Sequence, residues 1–229
     1  MTRDQILIQI ESIIRGGWVN NNRNLSNGNV GNIFEDLMGI EENNLSLPDA
    51  GEYELKTQKI KCQPSSLLTL CHIEPEPRSL KVVPYLIQNF GWDHKNGKEK
   101  SFRQTISTKG FSDKGFKVRV DIDRIVVEIQ DKSIPFIEPY WNIDELKIKL
   151  TTKLKNQINI LALEKNNQFR YFNASILEEF NFDNFLNLID SGDIFIDFDA
   201  KTTHNHGTKF RIKQTNVHKL YNKIGEITI

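Results

Sequence analysis

The residue types best suited to chemistry in this chain lie in the stretch PDAGEYELKTQK, from Pro48 to Lys59. The segment Glu54-Leu55-Lys56 has the character of a β-strand, in which residues two apart point to the same face, so Glu54 and Lys56 are expected side by side. Asp49 adds a second carboxylate just before the strand. Two carboxylates beside an ammonium group can bind a hard divalent cation such as Mg²⁺.

Such a cluster has the groups needed to hydrolyse a phosphate ester. A bound Mg²⁺ neutralises phosphate and lowers the pKa of a bound water. Lys56 can hold that water and stabilise the charge that develops during attack. Glu35, which lies beside Asp36 on a predicted helix, is a candidate fourth member. The alternative is a salt bridge without catalytic function, because the spacing D-x4-E-x-K also arises by chance.

The composition is that of an ordinary globular protein. The chain has 229 residues, of which 38% are hydrophobic and 26% are charged, and this length suits one domain, or one domain with a small lobe. No apolar run reaches membrane-spanning length, and the N-terminus lacks a signal-peptide pattern. The two cysteines, Cys62 and Cys71, make a weak disulfide signal. We therefore expect a reducing, cytoplasmic location.

The charges are balanced overall but unevenly distributed. The net charge is zero, yet the first sixty residues carry five Lys/Arg against nine Asp/Glu. Residues 95–119 carry eight Lys/Arg against two acids, and residues 201–213 carry four basic residues and two histidines without an acid. A carboxylate-rich zone with basic segments favours an enzyme that holds a metal ion at a polyanion, and the alternative is that each charge run is solvated surface.

The hydrophobic patterning predicts a mixed α/β chain with more strand than helix. The predicted helices are Arg3–Arg15, Val30–Gly39, Ser79–Asn89, Asn142–Leu154, Asp183–Ser191 and one near Asn216–Lys223. The predicted strands are Glu52–Gln58, Ser66–Leu70, Phe102–Ser107, Phe116–Asp121, Arg124–Gln130, Ile158–Leu163, Gln168–Asn173, Ile194–Phe198, Lys209–Ile212 and Glu226–Thr228. A polar loop is expected over Asn20–Asn29.

The pattern P-D-x4-E-x-K resembles the active-site signature of the PD-(D/E)XK nuclease superfamily. The surrounding residues resemble one of its branches, the MvaI/BcnI restriction endonucleases, which are relatives of the mismatch-repair nickase MutH. The resemblance runs in order through most of the chain. It comprises GGW (16–18), GNVGNIFEDLMGIEENNLSLPDAGEYELKT (28–57), SLLTL (66–70), RQTIS (103–107), VDID (120–123), YW (140–141) and THNHGTKFRI (203–212).

This resemblance implies an α/β (α+β) fold, a restriction-endonuclease-like mixed sheet flanked by helices, in a single chain with two lobes. The catalytic lobe is expected over roughly residues 1–135 with part of the C-terminal half, and the recognition lobe over roughly residues 136–229. Matched residue by residue, Asp49 and Glu54 would be ligands of Mg²⁺, as one ion or two. Lys56 would be the catalytic lysine, and Glu35 would complete the site.

The same resemblance implies where DNA would be recognised. The segment THNHGTKFRI resembles a recognition segment, in which His204, His206 and Arg211 would contact base edges, and an arginine fork suits guanine O6 and N7. Family members carry Asp-x-Arg just before this segment. Here Asp197 holds the Asp position and Asp199 stands where the Arg would be, so we do not carry the family's CC(W/S)GG target over to this chain.

Two further interpretations concern basic and metal-binding side chains. Lys109 and Arg119 suit contacts to phosphates, which position a duplex without reading its sequence. His204 and His206, together with Asp197 or Asp199, are alternatively interpreted as a zinc site, although H-x-H on a loop is a weak pattern.

The resemblance implies a type II restriction endonuclease that hydrolyses double-stranded DNA at a short specific sequence by metal-activated attack of water. We expect a monomer that works without a membrane, in a cell that also holds a cognate DNA methyltransferase. The alternatives are a MutH-like nickase that cuts one strand, a DNA-binding module without catalysis, and an unrelated α/β protein in which Glu54 and Lys56 form only a salt bridge.

Overall fold

The computed structural model describes residues 1–23, 28–40, 48–60, 67–93, 97 and 99–227. In chain order the helices and strands are α1 (Arg3–Arg15), β1 (Trp18–Asn20), α2 (Asn29–Leu37), β2 (Tyr53–Lys59), β3 (Leu67–His72), α3 (Val82–Phe90), β4 (Trp92–Asp93), β5 (Lys100–Ile106), β6 (Phe116–Val120), β7 (Arg124–Ile129), β8 (Tyr140–Asn142), α4 (Ile143–Lys153), β9 (Asn156–Lys165), β10 (Gln168–Phe180), α5 (Phe182–Asp190), β11 (Ile194–Lys201), β12 (His204–Lys213) and β13 (Tyr221–Ile227). Short 3-10 helices span Arg78–Leu80 and Gln214–Leu220.

The chain folds into two compact units, each assembled from separated segments. The first unit comprises Met1–Pro64, Lys149–Asn181 and His218–Ile229, and the second comprises Ser65–Ile148 and Phe182–Val217. The first unit takes up the strands β9, β10 and β13 from the C-terminal half of the chain, whereas residues 65–148 belong to the second unit, and the bounds of the catalytic and recognition lobes stay a prediction.

The first unit is built on a mixed sheet with the order β1-β10-β9-β2, in which β13 also pairs with β10. Strand β2 runs parallel to β9, and the other pairs are antiparallel. Helix α1 buries Ile6, Ile10 and Ile14, whose spacing of four residues lines up one face of a helix. Thr2 begins this helix with a capping box completed by Gln5.

Helix α2 lies close to strand β2 because a glycine faces the strand. A Cβ atom added at Gly31 would stand 3.1 Å from the Thr57 hydroxyl oxygen, closer than most side-chain contacts. The Tyr171 hydroxyl donates a hydrogen bond of 2.8 Å to the carbonyl oxygen of Val30, which ties the first turn of α2 to β10. The helix that carries Glu35 is therefore held against the strand that carries Glu54 and Lys56.

The second unit contains a five-stranded antiparallel sheet with the order β3-β12-β11-β5-β4 and a three-stranded sheet with the order β6-β7-β8. Strand β5 alternates between buried and exposed residues, as expected for a sheet with one face toward the core. The core face carries aromatic rings, including Phe102 and Phe198, whose ring centroids are 5.5 Å apart. Trp141 of β8 packs on Phe210 with a centroid distance of 5.2 Å.

The structure confirms the mixed α+β fold and most of the predicted elements. The predicted helix near Asn216–Lys223 is correct only in part: a 3-10 helix spans Gln214–Leu220, and Tyr221 begins strand β13. Pairing of β13 with β10, in which Tyr221 lies opposite Phe180, overrides the local helical pattern. Three short strands, β1, β4 and β8, were not predicted.

Some predictions fall partly outside the described residues. Ser66, Thr228 and residues 24–27 of the predicted Asn20–Asn29 loop lie there, while Asn29 itself begins α2. Cys62 also lies outside them, and Cys71 is buried in β3. Within the part of the chain that is described, none of the helices has the length and apolar character needed to span a membrane.

Candidate active site

Glu54 and Lys56 lie side by side on β2, as their spacing predicts. The Lys56 Nζ atom is 2.5 Å from Glu54 Oε1. The Glu54 side chain is 1% exposed, whereas the Lys56 side chain is 23% exposed. A carboxylate this deeply buried needs cationic or hydrogen-bonding partners to remain charged, and Lys56 is one of them.

Asp49 is brought to the beginning of β2 by a tight turn. Ala50 and Tyr53 exchange two backbone hydrogen bonds of 2.9 Å each, and between them Gly51 adopts a φ of +60°, which glycine accommodates without strain. The turn directs Asp49 back over the strand, where its Oδ2 accepts a hydrogen bond of 3.0 Å from the backbone N–H of Leu55. One carboxylate oxygen of Asp49 therefore stabilises the turn that positions it beside β2.

A second lysine, which the sequence analysis missed, contacts Glu54. Lys153 lies in the last turn of α4, and its Nζ atom is 3.2 Å from Glu54 Oε1. Two ammonium groups thus share one oxygen of a buried carboxylate. Only the parallel pairing of β2 with β9, the strand that follows α4, shows that Lys153 ends near Glu54.

The other carboxylate oxygen of Glu54 has no hydrogen-bond partner among the described residues, although it is buried. A buried oxygen in this state calls for an additional group, such as an ion. No three His, Cys, Asp or Glu side chains of the described residues are grouped to hold a metal. Asp49 and Glu54 nevertheless suit Mg²⁺, which proteins bind through one or two carboxylates while water and phosphate supply the other oxygens.

The neighbouring strand β9 carries two amide residues across from Glu54 and Lys56. In the parallel register, Gln157 lies opposite Glu54 and Asn159 opposite Lys56, and the Gln157 side chain donates a hydrogen bond to Asn159. The hydroxyl of Tyr221 donates to Gln157 Oε1 at 3.3 Å. Burial first, and the charge of Glu54 second, raise the pKa of the Tyr221 hydroxyl, which therefore remains a donor.

Glu35 is half-buried on α2, one helical turn after Gly31. Residues four apart share a helix face, so Glu35 belongs to the face that Gly31 turns toward Thr57 of β2. This placement is compatible with the predicted fourth member of the cluster, and the role of Glu35 stays a prediction.

The predicted DNA-contacting residues Asp197 and Arg211 meet in the second unit. Asp197 accepts hydrogen bonds from the Thr105 hydroxyl at 2.8 Å and from Arg211 Nη1 at 3.1 Å. Arg211 Nη2 donates to the backbone oxygen of Leu67 at 3.0 Å. Both terminal nitrogens of Arg211 are thus engaged within the protein.

Asp199 is paired with cations from both neighbouring strands. Its register partner on β5 is Arg103, whose Nε atom lies 3.0 Å from Asp199 Oδ1. Lys209 of β12 places its Nζ atom 3.4 Å from Asp199 Oδ2. The position at which the resemblance led us to expect an arginine therefore holds a carboxylate that binds an arginine from across the sheet.

Of the remaining predicted DNA contacts, His204, His206 and Lys109 are exposed and Arg119 is half-buried. His204 and His206 begin β12, and their ring centroids are 4.2 Å apart. Because the described residues contain no group of three suitable ligands, the zinc alternative gains no support. Lys109 lies 3.6 Å from Asp193, and Arg119 contacts three acids, with Asp121 as the nearest and Glu128 at 3.6 Å and Glu138 at 3.7 Å further away.

Comparison with known proteins supports one family. The family model described as "MvaI/BcnI restriction endonuclease family" matches residues 7–221. The chain resembles a solved structure titled "Restriction endonuclease MvaI-cognate DNA substrate complex" with a TM-score of 0.83 and 28% identity, covering 100% of both chains. It also resembles "Restriction endonuclease MvaI in the absence of DNA" with a TM-score of 0.57 and 27% identity, covering 100% of this chain and 99% of the other. No curated protein matches at a significant level.

Proposed function

The chain belongs to the MvaI/BcnI restriction endonuclease family, and we propose that its first unit carries the catalytic site and its second unit the DNA-recognition surface. It is a type II restriction endonuclease, a site-specific deoxyribonuclease. Its family implies the use of a divalent metal ion, and we infer that this ion is Mg²⁺. The observation that carries the assignment of the catalytic site is Glu54, a buried carboxylate with two lysines on one oxygen and a second oxygen that has no partner among the residues that the structure describes.

Asp49 and Glu54 would hold the ion, since they supply the carboxylate oxygens that Mg²⁺ prefers. When bound, Mg²⁺ supplies positive charge at the phosphate and makes a nearby water more acidic. Lys56 Nζ, which is partly exposed, orients the attacking water and stabilises the negative charge that develops on the phosphate oxygens. The water oxygen loses a proton to solvent and bonds to phosphorus, one phosphorus–oxygen ester bond breaks, and the leaving oxygen takes up a proton from solvent. Glu35 completes the site from α2.

Double-stranded DNA is the substrate, and we propose that the second unit reads it. Asp197, Asp199, His204 and His206 would face base edges, while Lys109 and Arg119 would contact phosphates. Arg119 already contacts three acids, so its phosphate contact would be the weaker of the two. We propose that the enzyme acts as a monomer in the cytoplasm, in a cell that protects its own DNA with a cognate methyltransferase.

The decisive experiment is digestion of unmethylated phage DNA with Mg²⁺ by the wild type and by the variants Lys56→Ala and Lys59→Ala. Lys59 is a matched control because it lies on the same strand and pairs with Glu164 at 2.9 Å. We expect discrete fragments from the wild type and from Lys59→Ala, and a loss of about 10²–10³-fold or more in the cleavage rate for Lys56→Ala. Sequencing the fragment ends would give the target site.

A supercoiled plasmid separates the alternatives. Linear product from purified protein alone supports the restriction endonuclease, whereas accumulation of nicked circles alone would favour a strand-specific nickase. Binding without any cleavage would indicate a silent DNA-binding module. Undiminished cleavage by Lys56→Ala would contradict the catalytic assignment.

A further inference from the structure

Two arginines on the same sheet are held in opposite ways. Arg211 uses both terminal nitrogens inside the protein, on Asp197 and on the Leu67 carbonyl. Its Nε atom is buried without a partner among the described residues, and its side chain is 30% exposed. Arg103 is contacted at Nε by Asp199, and its side chain is 49% exposed.

We propose that Arg103 is the guanine-reading residue of this enzyme and that Arg211 is a positioning residue that holds Asp197 in place. The inference rests on the proposed function, because it assumes that the second unit contacts the edges of base pairs. It changes the sequence-based expectation, in which Arg211 was the direct reader.

The contacts of Arg103 leave the two terminal nitrogens of its guanidinium group available to a ligand. A guanidinium recognises guanine by donating two hydrogen bonds, to O6 and N7. Asp199 Oδ1 takes the Nε side of Arg103 at 3.0 Å, and no other partner of this side chain occurs among the described residues. Both terminal nitrogens of Arg103 can therefore donate to a base, whereas each terminal nitrogen of Arg211 already donates to a protein oxygen.

The sheet fixes the direction of Arg103. Its neighbours in sequence, Phe102 and Gln104, are buried, and side chains alternate between the two faces of a strand, so Arg103 projects from the polar face. Asp199 lies directly opposite on β11, which is flanked by strands on both sides. An arginine that is already oriented by the residue opposite it in the sheet loses little conformational freedom when it binds a base.

Asp199 is itself held from its other side. Lys209 Nζ lies 3.4 Å from the second oxygen of Asp199, so this carboxylate is oriented by β12 while it orients Arg103. An exposed ion pair alone contributes little to stability. The arrangement is better explained as support for a side chain whose direction matters.

The test measures base preference rather than overall activity. Wild type, Arg103→Lys, Arg103→Ala, Asp199→Asn and Arg211→Lys are each incubated with a pool of duplexes randomised around the target site, and the cleaved and uncleaved molecules are sequenced. Lysine keeps the charge of Arg103 but lacks the fork. We expect Arg103→Lys and Arg103→Ala to lose about 10- to 100-fold of the discrimination at one G·C pair. Asp199→Asn should reduce the discrimination at the same base pair.

Arg211→Lys is expected to lower cleavage of all sequences together, without a change in the preferred base. Unchanged base preference in both Arg103 variants, a target without guanine, or loss of one base preference in Arg211→Lys would each overturn the assignment. Failure of the wild type to cut any member of the pool would remove the proposed function itself, and this inference with it.

Discussion

Lys153 Nζ lies 3.2 Å from Glu54 Oε1, the same oxygen that Lys56 contacts at 2.5 Å. One buried carboxylate therefore lies between two ammonium groups, whose combined positive charge exceeds its own negative charge. A divalent cation at Glu54 would be repelled by both. Lys56 is fixed beside Glu54 because both residues lie on β2. Lys153 lies at the end of α4, so its ammonium group is the one better placed to move away from the ion.

Lys153→Met is expected to lower the free energy of unfolding in the absence of divalent ions by about 1–3 kcal/mol, because the buried Glu54 loses a charged hydrogen-bond donor. Added Mg²⁺ should raise the melting temperature of Lys153→Met more than that of the wild type, since one competing cation is gone. Thermal unfolding with and without Mg²⁺ measures both effects. Lys149→Met, an exposed position on the same helix, is the control. Equal Mg²⁺ responses in all three proteins would contradict this competition.

Asp49 is expected to show separate contributions to folding and to catalysis. Asp49→Asn keeps an oxygen that can accept from the Leu55 N–H, whereas Asp49→Ala removes it. We expect Asp49→Ala to lose about 1 kcal/mol of stability and Asp49→Asn to lose little, while both lose cleavage because both lose the charge. Urea unfolding and single-turnover cleavage measure the two properties. Cleavage at the wild-type rate by Asp49→Asn would exclude Asp49 as an essential ligand.

Gly31 is expected to set the distance between α2 and β2. Gly31→Ala would place a methyl group 3.1 Å from the Thr57 hydroxyl oxygen, which would displace the helix that carries Glu35 and slow cleavage. Thr57→Ala removes that oxygen, so the double variant should recover most of the lost rate. The measurement is a double-mutant cycle on the cleavage rate. Additive losses in the double variant would show that the contact does not position α2.

Tyr53, Glu178 and Arg3 form a pH-sensitive network in the first unit. Tyr53 donates a hydrogen bond of 2.5 Å to Glu178 Oε1, and Arg3 Nε lies 3.1 Å from the same oxygen. The hydrogen bond from Tyr53, and then Arg3, hold the pKa of Glu178 below its ordinary value of 4.5. Burial, and then Glu178, raise the pKa of Tyr53 from 10.0 to about 12.

The lowered pKa of Glu178 and the raised pKa of Tyr53 determine the pH range in which each residue stabilises the folded protein. The contribution of Glu178 to folding stability is present above pH 4.5 and is lost as the pH falls through the lowered pKa that this residue has in the folded protein. The contribution of Tyr53 is present below pH 10.0 and is lost as the pH rises toward about 12. Tyr53→Phe should therefore cost about 1–2 kcal/mol at neutral pH and less below pH 4.5. Tyr171→Phe loses a hydrogen bond to a backbone oxygen. Urea titrations should therefore show the same loss of unfolding free energy for this variant at neutral pH and below pH 4.5. A loss in Tyr53→Phe that does not change with pH would contradict the coupling.

Local spacing was enough to predict the centre of the candidate site. The two-residue repeat of a strand places Glu54 and Lys56 on one face, and the structure confirms this contact. The helix Arg3–Arg15 was predicted with its bounds because capping residues and buried isoleucines are read from adjacent positions. These features depend on neighbours in the chain.

Features that depend on register between distant strands could not be predicted. Lys153 and Gln157 join Glu54 only because β9 pairs in parallel with β2. Arg103 and Asp199 meet only because β5 pairs with β11 at one register. The same cause explains Tyr221, where sheet pairing replaced the predicted helix. A one-residue shift in such a register would turn every side chain to the other face, and nothing local specifies it.

The pairing of β2 with β9 also has a consequence for how the protein is made. Tyr53 pairs with Asn156 and Lys56 with Asn159, so the ribosome releases Asp49, Glu54 and Lys56 long before the strand that completes their surroundings. An unfinished chain has neither Lys153 nor the amides of β9, and its β2 would lack the strand with which it pairs. The surroundings of Glu54 and Lys56 are therefore complete only after synthesis has passed β9.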